Sequence, residues 1–114
     1  MTEYRSSGKT TLTPDVLLTI ARQSALEVEG VNSMATVKGG MNSLLGRGHD
    51  GVRMLVEDSN VIVDLFLVLD QDVNIREVSR TVQETVARAI AEMTGLDVGL
   101  VNIHIEDIHY AAEA

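Results

Sequence analysis

Three side chains in the C-terminal half are of the types that bind divalent metal ions. His104 and Glu106 are two positions apart in the alternating segment VNIHIEDI, so they share one face of a predicted strand. Asp64 has the matching parity in another predicted strand. Imidazole and carboxylate groups do ligate metals, but polar residues alternating along a solvated strand give the same pattern. We therefore predict no metal site.

A glycine-rich segment, residues 38–51, spells the pattern G-x-G-x-x-G at Gly46–Gly51. This pattern binds a dinucleotide where it follows a strand and opens a helix, because the helix N-terminus supplies amide donors to the pyrophosphate. Here a predicted strand follows at Val52, so we predict a loop and no cofactor. The alternative is a small-ligand or metal-binding domain that uses this Gly-rich loop and the His104/Glu106 strand face.

Composition and charge exclude several other functions. The chain has no cysteine, so disulfides and thiolate metal sites are excluded, and no arrangement of nucleophile, histidine and acid indicates an enzyme. Its 114 residues, the size of one domain, carry a formal net charge of −8, which repels phosphate backbones and anionic lipids. No apolar run approaches the roughly 20 residues of a membrane helix. We predict a soluble, intracellular protein with no nucleic-acid binding and no direct membrane insertion.

Hydrophobic periodicity predicts the elements that position these side chains. The first helix begins at the N-cap Thr13 and is expected to end at Gly30. The second begins at Asn74, which resembles the start of a capping box, and ends at Gly95. Predicted strands cover residues 31–37, 52–58, 61–70 and 98–108, with a further short strand near Lys9–Leu12.

These elements predict an α+β fold, a two-layer sandwich with two helices packed on one face of a three- to four-stranded mixed sheet. The order is (β)-α-β-β-β-α-β, in which the first strand is the short one near Lys9–Leu12. A flexible N-terminal arm covers residues 1–12. A single domain then spans residues 13–110 and contains the Gly-rich loop at 38–51.

The sheet face that the helices leave uncovered has an unusual composition. Alternate residues from Val61 to Leu69 are apolar and predicted to face the core, while the opposite parity is half apolar. Such a face is unusual if it only meets water, and exposed apolar patches mark association surfaces. Strand parity also places Ile108 in this apolar patch. An N-terminal arm or Gly-rich loop that folds over the patch would explain its composition equally well. The predicted partner or self-association face consists of Leu55, Ile62, Asp64, Phe66, Val68, His104 and Glu106.

Several segments recur in an order and spacing that characterise a known family: Thr13–Val31, Gly51-Val52, Val63–Ile75, Val82-Gln83, Met93–Leu96 and Val101–Ile103. In these segments the chain resembles the alkaline shock protein family of bacterial envelope stress response proteins. Each segment is generic, but their order and spacing make the resemblance specific over about residues 10–108. One departure is Gln71-Asp72, where family members commonly place Tyr-Gly. Aspartate tolerates the left-handed turn that glycine permits, so the fold is unaffected, but a partner contact through the tyrosine does not carry over.

The resemblance implies a small cytoplasmic, non-enzymatic protein of cell-envelope homeostasis or stress response. No catalytic residues carry over, and at least some members of the family sit at the membrane through a membrane-anchored partner. We therefore expect an interaction or scaffold protein that forms a homo-oligomer and docks to a protein partner. A peripheral position at the membrane through such a partner also fits the acidity of the chain better than direct lipid binding.

Overall fold

The computed structural model describes residues 13–36, 51–58 and 60–111, and it confirms the expected order α-β-β-β-α-β. The elements are α1 (Pro14–Leu26), β1 (Val31–Met34), β2 (Val52–Glu57), β3 (Asn60–Asp70), α2 (Ile75–Thr94) and β4 (Asp97–His109). The predicted N-terminal arm, the short strand near Lys9–Leu12 and residues 38–50 of the Gly-rich loop lie outside the described residues. Within the described ranges, no helix is long and apolar enough to cross a membrane.

The helix starts follow the sequence signals, but one helix end does not. The Thr13 hydroxyl accepts a hydrogen bond from the amide of Val16 at 3.4 Å, and α1 then ends at Leu26 instead of continuing to Gly30. The residues between form tight turns, in which the Val28 amide donates to the carbonyl of Ala25, three positions back, at 3.2 Å. The prediction that Gly30 ends the helix was therefore wrong.

Strand β3 is the centre of a four-stranded mixed sheet. Strand β4 runs parallel to β3 along its whole length, from the pair Asn60–Asp97 to the pair Asp70–His109. Strands β1 and β2 are both antiparallel to β3. Because a strand has only two edges, they share the other one, with β2 beside residues 60–65 and β1 beside residues 67–69.

The core lies between the sheet and the two helices. The predicted inward parity of β3 is confirmed, because Val61, Val63, Leu65, Leu67 and Leu69 have no exposed surface. Helix α2 packs its buried residues Val78, Val82, Val86 and Ile90 against this layer. Burying an aliphatic side chain of this size contributes roughly 1.5–3 kcal/mol, so this interior stabilises the sheet whose other side carries the site.

Phe66 joins the end of β1 to the start of β2. Its carbonyl accepts a hydrogen bond from the amide of Ala35, and its amide donates to the carbonyl of Gly51, both at 2.8 Å. Gly51 has a φ of +79°, and a Cβ added there would lie 2.8 Å from the Cβ of Met34 and 2.9 Å from the carbonyl oxygen of Phe66. Glycine alone fits both the conformation and the space.

Candidate interaction face on the outer side of the sheet

The outer face, which is the side of the sheet opposite the helices, is organised in rows that cross the strands. The pairing register places Leu55 of β2, Ile62 of β3 and Leu100 of β4 side by side. We name these three residues the apolar row. Leu55 is 52% exposed and Leu100 is 55% exposed, while Ile62 is half-buried. Since neighbouring strands are about 4.8 Å apart, the apolar row extends about 10 Å across the sheet.

Two polar rows flank the apolar row, one on each side along the strands. The arginine row consists of Arg53, Asp64 and Asn102. The acidic row consists of Glu57, Asn60 and Asp97. Every residue of the acidic row is exposed, and so is Arg53. The middle of the outer face is therefore an apolar strip with positive charge only on one of its sides.

An aromatic pair supports the arginine row. The rings of Phe66 and His104 are stacked, with centroids 4.4 Å apart and an interplanar angle of 12°. The guanidinium carbon of Arg53 lies 5.3 Å from the centroid of the Phe66 ring, which is within cation–π range. The Nε2 atom of His104 lies 3.1 Å from Oδ1 of Asp64. Phe66 is only 8% exposed, so it positions Arg53 and His104 more than it offers surface to a partner.

The structure brings most residues of the predicted face together. The residues near the C-terminal end of β4 do not follow the predicted pattern. Leu55, Ile62, Asp64, Phe66 and His104 occupy adjoining rows, and half-buried Val68 lies one row further along β3. Glu106 has no partner in the register, because Ile105 pairs with Leu67 and Asp107 with Val68. This bulge reverses the parity of β4. Placing Ile108 on the outer face was therefore wrong, because it packs against the core.

All three residues of the acidic row were missed as site residues, and so were three residues of the other two rows: Arg53, Leu100 and Asn102. Strand parity could have found these last three, because Arg53 shares the parity of Leu55, and Leu100 and Asn102 share that of His104. The alignment of the rows could not have been found in this way. It depends on the register between β3 and β4, which shifts at Gly99, where Val98 pairs with Val61 and Leu100 with Ile62.

The alternative ligand sites gain no support from the described residues. No group of three His, Asp or Glu side chains is placed there to hold a metal ion. The Gly46–Gly51 motif is described only at its last residue, and Gly51 leads directly into β2 at Val52, as predicted. A strand at that position offers no helix N-terminus for a phosphate.

The acids at the joint between β3 and α2 have structural roles. The side chain of Asn74 caps α2 by accepting a hydrogen bond from the Glu77 amide at 3.0 Å. Asp72 has a φ of 66°, which is the left-handed turn expected from the Gln71-Asp72 departure. Asp70 accepts a hydrogen bond from the Asn32 side chain at 3.1 Å. Helix capping, turn formation and a hydrogen bond between side chains therefore account for Asn74, Asp72 and Asp70, respectively, as structural residues.

The sequence is similar to known proteins over nearly its whole length. The model of the alkaline shock protein 23 family is described as having a cell envelope-related function and matches residues 2–110. The uncharacterized protein YqhY of Bacillus subtilis is 31% identical over 110 residues, which covers 94% of this chain and 82% of that protein. The uncharacterized protein Spy1614 of Streptococcus pyogenes is 32% identical over 111 residues, with 93% and 92% covered. No solved structure matches the chain.

Proposed function

The chain belongs to the alkaline shock protein family, whose function is related to the cell envelope, and from that premise we propose that it is a non-enzymatic interaction or scaffold protein in cell-envelope homeostasis or stress response. It acts by self-association and by docking to a protein partner that is anchored in the membrane. The outer face of the sheet makes these contacts. The observation that carries the proposal is the exposed apolar row at its centre.

The apolar row has the properties of a contact surface. Leu55 and Leu100 each leave more than half of their surface in water, although they flank Ile62 on a continuous sheet. Removing apolar surface from water is favourable by about 25 cal/mol per Å². Contiguous apolar residues rimmed by polar ones are typical of protein–protein contacts, and the polar rows on both sides provide this rim.

The charge of the chain favours a protein partner over a lipid surface. A net charge of −8 opposes contact with the anionic lipids of a cytoplasmic leaflet. We therefore expect the protein to be cytoplasmic and to reach the membrane only through its partner. That partner supplies the anchor, and this chain supplies the folded docking face.

The proposal is tested by placing a charge in the apolar row. Leu55→Asp and Leu100→Asp should abolish the concentration-dependent mass increase of the purified chain in sedimentation equilibrium. They should also release the chain from the membrane fraction of bacterial cells. Val16→Asp is the matched control, because Val16 is 43% exposed on α1, away from the outer face. If both leucine variants keep the wild-type mass distribution and membrane association, the outer face is not the contact surface.

A further inference from the structure

We propose that the outer face binds the outer face of a second copy of the chain in one two-fold arrangement, in which the apolar row lies on its own counterpart and Arg53 pairs with the second copy's Glu57. This inference rests on the proposed function and specifies one of its contacts. It is carried by the order of the three rows along the strands.

The symmetry follows from the position of the apolar row between two different polar rows. A two-fold axis in the interface, running along the apolar row, turns the second sheet over and reverses the direction of its strands. Each residue of the row then meets the same residue of the other copy, so Leu55 packs on Leu55 and Leu100 on Leu100. A contact of this kind is isologous and closes as a dimer.

The same rotation lays the arginine row of each copy on the acidic row of the other. On β2, Arg53 and Glu57 lie two positions to either side of Leu55, so the second copy's Glu57 faces Arg53, and this pair occurs twice. On β4, the Asn102 amide faces the second copy's Asp97. Every charge of the acidic row thus meets a hydrogen-bond donor, which is the complementarity expected of a specific interface.

The distances permit these pairs. At a rise of about 3.4 Å per residue, Arg53 and Glu57 each lie about 7 Å along the strand from the apolar row. Stacked sheets lie about 10 Å apart and twist by about 30° relative to each other, which displaces such positions by about 4 Å. A long arginine side chain spans that displacement. Within the described residues, neither Arg53 nor Glu57 has an ion-pair partner, and the Phe66 ring already holds the guanidinium in place.

The charges disfavour the other two-fold arrangement of the same faces. A two-fold axis along the strands would lay each acidic row on the acidic row of the second copy, with Glu57 against Asp97. Like charges placed directly opposite each other are destabilising. Each copy also carries a net charge of −8, which opposes any association, so the arrangement that pairs Arg53 with Glu57 is the one in which local attraction offsets this repulsion.

The test is a pair of charge reversals and their combination, measured by sedimentation equilibrium of the full chain. Arg53→Glu and Glu57→Arg should each weaken self-association by about tenfold or more, because each puts like charges together at two symmetric positions. The double variant recreates both pairs with the charges exchanged, so it should return to within about threefold of wild type. A heterologous partner or a different face would give no such rescue.

Matched controls separate this pairing from general effects of charge. Arg76→Glu and Glu92→Arg on the exposed side of α2 change the net charge by the same amounts and should leave the association constant within about twofold. Arg53→Lys keeps the charge next to Phe66 and should retain association. Urea unfolding of each variant shows whether the monomer remains folded.

Three results would overturn the inference, and they differ in what they imply for the proposed function. In the first result, Leu55→Asp abolishes association, but neither charge reversal alters it or the double variant does not regain it. The outer face would then remain the contact surface, but the proposed two-fold arrangement would be wrong. If Leu55→Asp also has no effect, the proposed self-association through this face falls as well. If the wild-type chain stays monomeric at every concentration, the second copy is not the occupant, and docking to a different partner is then judged from the membrane fraction alone.

Discussion

The rings of Phe66 and His104 lie nearly parallel across β3 and β4, with centroids 4.4 Å apart. His104 also approaches the Asp64 carboxylate, and Arg53 lies over the same Phe66 ring. Phe66 therefore contacts two polar side chains, Arg53 and His104, and His104 in turn contacts Asp64. Such preorganisation would lower the conformational entropy lost in the proposed association through this face.

Phe66→Ala should lower the free energy of unfolding by about 3 kcal/mol, since it removes a buried aromatic side chain. Leu55→Ala should lower it by about 1 kcal/mol or less, because Leu55 is 52% exposed. Urea denaturation of both variants measures the difference. Equal losses would mean that Phe66 is not packed as the structure shows. A charged residue at Phe66 would therefore destabilise the fold, so its effect on docking could not be separated from its effect on packing.

Gly51→Ala should destabilise the fold more than Gly95→Ala. Both glycines have a φ of +79°, so both variants carry the strain of a left-handed alanine, about 1 kcal/mol. A Cβ at Gly95 meets nothing within 4 Å, whereas one at Gly51 would meet the Phe66 carbonyl oxygen at 2.9 Å. The clash should add about 2 kcal/mol to the loss at Gly51. Thermal unfolding of the pair checks this, and similar losses would contradict it.

Substitutions at Asp72 should depend on how well the new residue adopts its φ of 66°. Asp72→Gly should leave the free energy of unfolding unchanged or raise it by about 0.5 kcal/mol, because glycine adopts this conformation freely. Asp72→Val should lower it by about 2 kcal/mol, since a β-branched residue is strained there. Chemical denaturation distinguishes the two. A tolerated valine would show that the turn is not left-handed in solution.

The N-cap of α2 offers a further measurement. Asn74→Ala should lower the free energy of unfolding by about 1 kcal/mol, because the amide of Glu77 loses the acceptor that it has at 3.0 Å. Asn74→Asp retains a side-chain acceptor and should keep the wild-type stability. Thermal denaturation followed by circular dichroism compares the two variants. A loss with Asp as large as the loss with Ala would argue against a capping role.

Much of the fold could be predicted because its signals are local. The caps at Thr13 and Asn74 and the alternating burial from Val61 to Leu69 depend only on neighbouring residues, and the structure confirms them. The end of α1 was not predictable in the same way. Residues 27–29 fit the helical pattern in sequence. They form turns instead, and these turns place Val28 and Val31 in the core, so the helix end depends on tertiary packing.

The face could be predicted only in part, because its arrangement is non-local. Parity grouped Ile62, Asp64 and Phe66 on one side of β3, but nothing in the sequence marks the bulge at Glu106 that moves Ile108 into the core. The burial of Phe66 could not be predicted either, because Phe66 is covered by the ring of His104 from another strand. Register and bulges are set by the packing of the whole sheet, so the alignment of the three rows could be found only from the structure.

The double attachment at Phe66 has a use in protein engineering. Because Ala35 and Gly51 are both hydrogen-bonded to this one residue, the intervening stretch begins and ends at a single point of the sheet edge. A fluorescent reporter spliced between them would have its termini already held together, and loop-closure entropy grows only slowly with the length of an insert. The proposed self-association could then be tested through an optical signal in living cells, with both ends of the chain left untouched.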